Sequence, residues 1–300
     1  MLDFRVETFL AVCRHMNFTK AARELNITQP AVSHHIHYLE QTYGMALFLH
    51  NGKRLLLTEA GEILRRTLMT MKQDEQHLQK RMQQAASGTR DYSFGATLSV
   101  AEFMLNEALG RFLCLHPDSH IQMQVADTKV LLSKLDSGEL DFAVVEGDFP
   151  KAEYDFFVFG TEEYVAAGDP EKAARYRGRR LTELLEEPLL LREEGSGTRV
   201  ILEYYLKEHG LTAADFARTV EIGNIGAIKT LLKSGYGVSF LYRAVIRPEE
   251  AAGTLGVIDL SDFHLRHDIM FLFPKNSNFR ADYTAIFREL RACAEESGGA

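Results

Sequence analysis

Nothing in the 300-residue chain is long and apolar enough to span a bilayer as a helix, because no run of eighteen apolar residues occurs. Cysteine is scarce. Cys13, Cys114 and Cys293 are odd in number and widely separated, with no CxxC or comparable spacing, which argues against a disulfide framework and against a zinc site. Cys114 and His116 lie two apart but read better as a half-buried helix residue beside a loop histidine. The first residues, Met1-Leu2-Asp3-Phe4-Arg5-Val6-Glu7, lack the basic and apolar segments of an export signal, so the expected compartment is the cytoplasm. Also lacking are a Gly-x-Ser-x-Gly elbow, a Walker loop and an HExxH pair. Glu193 and Glu194 are adjacent and make a poor acid/base pair. No catalytic residue, metal site or resident cofactor is expected, and the chain is not read as an enzyme.

What is present is an ordinary globular composition, 46% hydrophobic and 25% charged, at a length that suits two or three compact units. Charge is unevenly spread. Residues 1–90 hold 12 Lys/Arg against 8 Asp/Glu, a local +4; of the chain's 34 and 42 this leaves 22 and 34 beyond residue 90, a local −12. A cationic head on an acidic body suits a head that meets phosphates.

The head reads as short helices. Val6, Phe9, Leu10 and Cys13 repeat at helical spacing behind a capping Asp3. A second helix runs from Phe18-Thr19 to Leu25, and Asn26-Ile27 forms a turn. Thr28 has the character of an N-cap, with Gln29-Pro30 in the first turn, where proline costs no hydrogen bond. Val32, Ile36 and Leu39 form the core stripe of this third helix, and Gln29, Ser33, His34 and His37 occupy its other face. Two helices joined by a tight turn, the second polar outward, have the geometry of a major-groove reader. Asn51-Gly52 between Ala46–Leu49 and Lys53–Leu57 is a strong hairpin signal, with Lys53 and Arg54 at its tip. From Thr58 to about Ser87 a long helix carries Leu64, Leu68, Met71, Glu75, Leu78 and Met82 at alternating spacings of four and three, a seam that predicts a dimerising coiled coil; the alternative is an amphipathic helix docked on its own body.

Beyond residue 90 strands and helices alternate. Strands are expected at Tyr92–Thr97, Ile121–Val125, Phe142–Val145, Tyr164–Ala166, Leu189–Leu191, Gly237–Leu241 and Ile269–Phe273, with helices near 100–115, 128–137, 198–209, 225–234 and 279–296. The alternation implies mostly parallel sheets with ligand sites at strand C-terminal ends, and the length suggests two similar lobes around a cleft. Gly195-Ser196-Gly197-Thr198-Arg199, at the start of a helix, can hold an anion, and Thr97-Leu98-Ser99 is a second candidate nest.

The chain resembles the LysR-type transcriptional regulators over essentially its whole length. The resemblance rests on Asn17-Phe18-Thr19-Lys20-Ala21-Ala22, on Leu25-Asn26-Ile27-Thr28-Gln29-Pro30-Ala31-Val32-Ser33, on Leu39-Glu40, Leu47-Phe48 and Leu57-Thr58-Glu59-Ala60-Gly61, and downstream on Asp127-Thr128, Gly138–Gly147, Glu194–Arg199 and Glu221–Asn224. It is similar to the branch that includes regulators of sulfur and cysteine metabolism. The resemblance implies a winged helix-turn-helix over 1–58, a linker helix and hinge over 59–88, and an α/β effector domain over 89–300. That domain would fold like a periplasmic binding protein, with subdomain I at 89–161 and 267–300 and subdomain II at 162–266. It further implies a homodimer or a dimer of dimers on promoter DNA, RNA polymerase as a partner, and a small-molecule effector, here expected to be anionic. Family effectors bind at positions that correspond to Thr97, Ser99, Thr128, Ser196, Thr198 and Asn224, with Glu146 and Phe240 as walls.

For DNA, Gln29 can contact an adenine edge in bidentate fashion, and Pro30 can pack on a thymine methyl. Thr19, Thr28 and Ser33 suit phosphates, and Lys53 and Arg54 can reach the backbone or minor groove beside the wing. The sequence departs from the family where arginine or lysine is frequent: His34, His37 and His50 stand there, with His35 beside them. Groups of pKa ~6.5 would make phosphate attraction depend on pH, so DNA affinity is expected to rise from about pH 8 to 6; neutral imidazoles bonding to bases are the alternative. A transport binding protein is the rival reading, but it would need an export signal and no DNA-binding head.

Overall fold

The computed structural model describes residues 3–52 and 54–297. The chain divides into two compact units. One takes the stretch up to Gly88 together with Asp136–Glu139 and Pro274–Ala281; the other takes Thr89–Leu135, Leu140–Phe273 and the chain from Asp282 on.

In the first unit α1 spans Phe4–His15, α2 Phe18–Glu24 and α3 Gln29–Tyr43. Their starts are set by side-chain caps. Asp3 accepts from Arg5 N at 2.8 Å, Asn17 from Lys20 N at 2.9 Å and Thr28 from Ala31 N at 3.3 Å. The turn between α2 and α3 needs a left-handed residue, and Asn26 supplies it at φ 54°. Phe9, Ala11, Val12, Ala21 and Val32 are fully buried, with Ile36 and Leu39 behind them, so the expected stripe of α3 does face the core.

Strands β1 (Phe48–Asn51) and β2 (Arg54–Leu57) form the wing. Asn51 pairs with Arg54, so Asn51 lies in the strand and Gly52, at φ 61°, opens the connection. This corrects the expected Asn51-Gly52 turn by one residue. The register follows from placing Leu55 in the core while its neighbours Arg54 and Leu56 face outward. Lys53 lies outside the described residues.

Helix α4 (Glu59–Ser87) begins at Thr58, whose hydroxyl accepts from Gly61 N at 2.9 Å and donates to Ala46 O at 2.8 Å. Leu64 and Leu68 belong to the core of the head, so that core draws on residues beyond 58. Met71, Leu78 and Met82 are exposed. The expected seam is thus two different surfaces along one helix, because its first turns are needed to close the three-helix core. At Gly61 the start of α4 lies tight against the chain entering and leaving the wing: a β-carbon there would sit 2.2 Å from Leu47 O and 2.8 Å from Leu57 Cδ2. Gly61→Ala is therefore expected to destabilise the head by about 1–3 kcal/mol, read as a lower first unfolding transition in calorimetry of the full chain.

The second unit continues with β3 (Arg90–Ala96), α5 (Leu98–Phe103), α6 (Asn106–Leu115), β4 (Ser119–Val125), α7 (Thr128–Ser137), β5 (Phe142–Val145) and β6 (Tyr154–Gly168). Then come α8 (Pro170–Arg175), α9 (Leu181–Leu184), β7 (Pro188–Leu191), α10 (Gly197–Glu208), β8 (Arg218–Glu221), α11 (Ile225–Lys233), β9 (Val238–Tyr242), α12 (Arg243–Ala251), β10 (Gly256–Ile258), β11 (Leu265–Pro274) and α13 (Arg280–Ser297). The sheet runs β4-β3-β5-β11-β6-β9-β7-β8, with β10 paired to β6. Two parallel halves, β4-β3-β5 and β9-β7-β8, are joined through antiparallel β11 and β6. Residues 161/162 and 266/267, the expected subdomain limits, fall inside these two long strands. Phe94, Phe142 and Phe271 stack in the first half, at 4.8 and 4.6 Å between successive ring centroids. Phe240 and Phe263 meet at 5.0 Å in the second.

Three departures from the expected elements have local causes. The single helix near 100–115 is two, because Leu105 N bonds Val100 O and the Asn106 side chain takes Glu102 O at 2.6 Å, breaking the ladder. Strand β6 is far longer than Tyr164–Ala166, since Gly160 and Glu162-Glu163 interrupt its apolar alternation while its backbone still pairs. β8 and β10 are short and carry little apolar pattern.

Candidate nucleic-acid interface and ligand cleft

The outer face of α3 is polar and open. Gln29, Pro30, His34, His37 and Gln41 are exposed and Ser33 is half-buried, while Val32, Ile36 and Leu39 hold the opposite side. Gln29 Nε2 donates to Ser33 Oγ at 2.9 Å, one helical turn away, which holds the carboxamide along the helix surface. Thr19 and Thr28 at the helix starts and Arg54 on the wing are exposed as well. Glu40 fixes the wing to α3 by accepting from Leu47 N at 2.9 Å, a structural role that the signature residue did not disclose by itself.

The histidines divide. His34 and His50 are exposed. His37 Nε2 lies 2.9 Å from Gln41 Nε2, one helical turn further on. His35 is not part of the surface set: its Nδ1 lies 2.9 Å from Thr8 Oγ1 and its ring meets Phe4 edge-on at 4.8 Å. Burial, with Arg5 and His34 adding to it, holds its pKa below the usual histidine value.

In the second unit, side chains converge where parallel strands end, as expected for an α/β sheet. β3 ends before Thr97, β5 before Glu146 and β7 before Arg192. Thr97 occupies the N-cap position of α5 but does not cap it; its hydroxyl donates instead to Glu146 Oε2 at 2.6 Å. Ser99 Oγ lies 3.3 Å from Thr198 Oγ1, and both hydroxyls are near enough to the Glu146 carboxyl group to favour its charged form. Ser196, the buried N-cap residue of α10, likewise makes no capping bond. Glu146 was expected as a wall and is instead the centre of this cluster, only 3% exposed. Burial raises its pKa, against the opposing pull of the Thr97, Thr198 and Ser99 hydroxyls and of Arg192.

Thr128 stands beside the cluster. Its Oγ1 would lie 2.4 Å from a β-carbon on Gly147, and it is buried with no hydrogen-bond partner. Two expected residues are placed elsewhere. The Asn224 side chain is exposed and spends its oxygen capping α11, accepting from Ala227 N at 2.9 Å. The Phe240 ring packs with Phe216 and Phe263, and only its carbonyl oxygen is near the cluster, 3.0 Å from Tyr164 OH. Ring packing there corrects its expected role as a wall.

Two residues escaped the sequence reading. Tyr164 is fully buried, with its hydroxyl 2.8 Å from Thr198 O as well. Arg192, 5% exposed, grips Glu193 through two bonds of 2.7 Å and lowers the pKa of that carboxylate. The signal for Arg192 was a cation directly after the buried run Leu189–Leu191, since charges are rarely buried without a partner. Among the described residues no group of His, Cys, Asp and Glu side chains could hold a metal ion, and no helix is long and apolar enough to cross a membrane.

Comparison with known proteins matches two family models: the bacterial regulatory helix-turn-helix protein, lysR family, over residues 5–62, and the LysR substrate binding domain over residues 85–294. The regulator CfxR of Cupriavidus necator is 31% identical over 94% of this chain and 92% of its own length. CysL of Bacillus subtilis is 26% identical over 89% of this chain and 89% of its own length. Full-length LysG from Corynebacterium glutamicum with bound effector Arg superposes at a TM-score of 0.63 and 18% identity, over 99% of both chains. The regulatory domain of CcmR from Synechocystis in complex with 2-PG superposes at 0.60 and 20% identity, over 69% of this chain and 98% of that one.

Proposed function

The chain belongs to the LysR family of bacterial transcriptional regulators and is a DNA-binding regulator rather than an enzyme; from that premise we propose that it reads promoter DNA with α3 and the wing and responds to a small anion bound in the hydroxyl-lined cleft. Gln29 and Pro30 make the base-edge contacts, with Ser33, His34 and His37 beside them. Thr19, Thr28, Lys53 and Arg54 engage the backbone. It works in the cytoplasm as a homodimer or a dimer of dimers. Exposed Met71, Leu78 and Met82 on α4 support the pairing, and RNA polymerase is the further partner that the resemblance implies.

One observation carries the ligand reading. Thr97 already donates to a buried carboxylate, that of Glu146, and the Ser99 and Thr198 hydroxyls beside it also favour its charged form. A donor set that fits one anion fits another of similar size. The unpartnered hydroxyl of Thr128 and the uncommitted hydroxyl of Ser196 support a site with capacity to spare. LysG holds Arg and CcmR holds 2-PG, so ligand chemistry varies on this fold and has to come from this chain's own side chains.

The test has two arms. Selection of duplexes from random sequence should yield a motif bound at least a hundredfold tighter than random DNA at fixed salt; equal binding would refute the DNA reading. Sulfate, sulfite, phosphate and small carboxylates, screened by thermal shift, should include one that raises the melting temperature. A screen in which only amines or guanidines do so would refute the anion.

A further inference from the structure

Helix α4 carries a buried carboxylate that neither the DNA-binding face nor the ligand cleft uses. Asp74 is 8% exposed, and Gln73 beside it 7%. Burying a carboxylate is costly unless donors replace its water, and here they come from one short turn. Asp74 Oδ1 accepts from Ser277 Oγ at 2.5 Å, and Oδ2 accepts from Asn278 N at 3.0 Å and from Asn278 Nδ2 at 2.6 Å. That turn belongs to the same compact unit as α4. Ser277 Oγ in turn accepts from Phe279 N at 3.1 Å, so its hydroxyl links the carboxylate to the next backbone amide.

The position of the turn gives the contact its meaning. Ser277, Asn278 and Phe279 are the residues immediately before α13, which starts at Arg280. The amides at a helix start need acceptors and favour negative charge. In α13 a carboxylate 204 positions earlier in the chain supplies both to Asn278. The same face of α4 makes two more contacts with this turn. Thr70 Oγ1 donates to Lys275 O at 3.0 Å, and the His77 ring lies 4.6 Å from that of Phe279. Thr70, Asp74 and His77 recur at i, i+4 and i+7 and so share one side of the helix, about 100° round from the exposed Met71, Leu78 and Met82. α4 therefore presents one surface available for pairing and, next to it, a second that grips the approach to α13.

We infer that Asp74 is a latch: by capping the approach to α13 from the linker helix, it ties the position of α4 to that of the strand-to-helix turn Pro274–Phe279, and releasing it lets the linker helix move independently of that turn. The turn joins β11, one of the two strands that connect the halves of the effector sheet, to α13. A shift of β11 is thereby felt at Asp74 through continuous chain, without needing the anion or any particular effector. The alternative, a static brace, makes the same hydrogen bonds but leaves the DNA complex unchanged when they are cut.

The test uses the full chain bound to a duplex selected from random sequence with the unmodified protein. Asp74→Ala, Asp74→Asn and Ser277→Ala are compared, with exposed Gln83→Ala on the same helix as a control. Hydrogen–deuterium exchange of a peptide spanning 277–284 is expected to speed up at least tenfold in Asp74→Ala, less in Asp74→Asn, and not in the control. The DNA complex of Asp74→Ala is expected to migrate differently in a circular-permutation bending assay, reporting a changed set of the linker helices. Unchanged exchange in Asp74→Ala and Ser277→Ala would overturn the latch, because the contact would not protect the turn. Faster exchange with an identical bend would overturn it equally, leaving only a brace. Should Asp74→Ala fail to fold, the near-isosteric Asp74→Asn and Ser277→Ala carry both readouts.

Discussion

Glu146→Ala is expected to bind small oxyanions more tightly than the unmodified protein, by about 10- to 150-fold, the equivalent of the roughly 1.5–3 kcal/mol typical of hydrogen bonds to a charged group. The reasoning is competition. The hydroxyls of Thr97, Ser99 and Thr198 already serve a carboxylate of the protein. An incoming anion must displace that carboxylate or meet its charge at close range, and removing it frees the donors. A cationic ligand would instead pair with Glu146 and lose affinity in the same variant, so calorimetric titration of the two proteins separates the readings by the sign of the change.

Stability should follow pH with the same residue in control. Burial raises the folded-state pKa of Glu146. Below about pH 4.5, the ordinary value for a glutamate, both folded and unfolded chains hold the proton. As pH rises further the unfolded chain releases it first, so folding binds a proton, and stability falls through the interval up to the folded pKa. The slope is at most about 1.4 kcal/mol per pH unit for one proton. Glu146→Gln removes this loss, and its melting temperature should exceed that of the unmodified protein at neutral pH and vary less with pH. Anion binding favours the protonated carboxyl, so affinity in the unmodified protein should rise as pH falls, and in Glu146→Gln it should not. A pH-independent affinity in the unmodified protein would place the anion away from this carboxyl group.

Legibility in the sequence tracks how local each cause is. The three-helix head was readable because its signals lie within a turn of one another: caps at Asp3, Asn17 and Thr28, the Asn26 turn, and the stripe of Val32, Ile36 and Leu39. The wing was readable but one residue out, since a packing demand at Leu55 decided the register. In the body, the strands with dense apolar runs were visible, whereas β8 and β10 owe their pairing to neighbours distant in sequence. The cleft shows the same limit. Thr97, Ser99, Ser196 and Thr198 stood out as small polar residues at helix starts, but that they converge on Glu146 depends on how two parallel strand ends meet. Tyr164, Arg192 and Asp74 gave no periodic signal, and their importance lies in burial beside residues that the chain brings from 34, 46 or 203 positions away.

At the DNA interface, Gln29→Ala is expected to weaken binding to the selected duplex by about 5- to 150-fold, the 1–3 kcal/mol of one bidentate base contact, and to leave binding to random duplex nearly unchanged. Gln29 is suited to this because the Ser33 hydroxyl holds its amide from the next turn, so the carboxamide loses less freedom on contact. Ser33→Ala should therefore reproduce part of the loss without removing the reading group. Arg54→Ala should behave differently. A cation that meets phosphate weakens specific and random binding alike, and its loss should lower the slope of log affinity against log salt by about one. The histidines supply the third signature. His34, His37 and His50 lie on the exposed side, and phosphates close to an imidazole favour its charged form. Affinity at fixed salt should then be higher at pH 6 than at pH 8, and the gap should close in a His34→Gln, His37→Gln, His50→Gln triple variant. His35→Gln should leave that gap open, because its ring is held in the head against Phe4 and Thr8. If Gln29→Ala instead reduced specific and random binding equally, α3 would be holding the DNA without reading it, and the sequence preference would have to arise from the shape of the duplex.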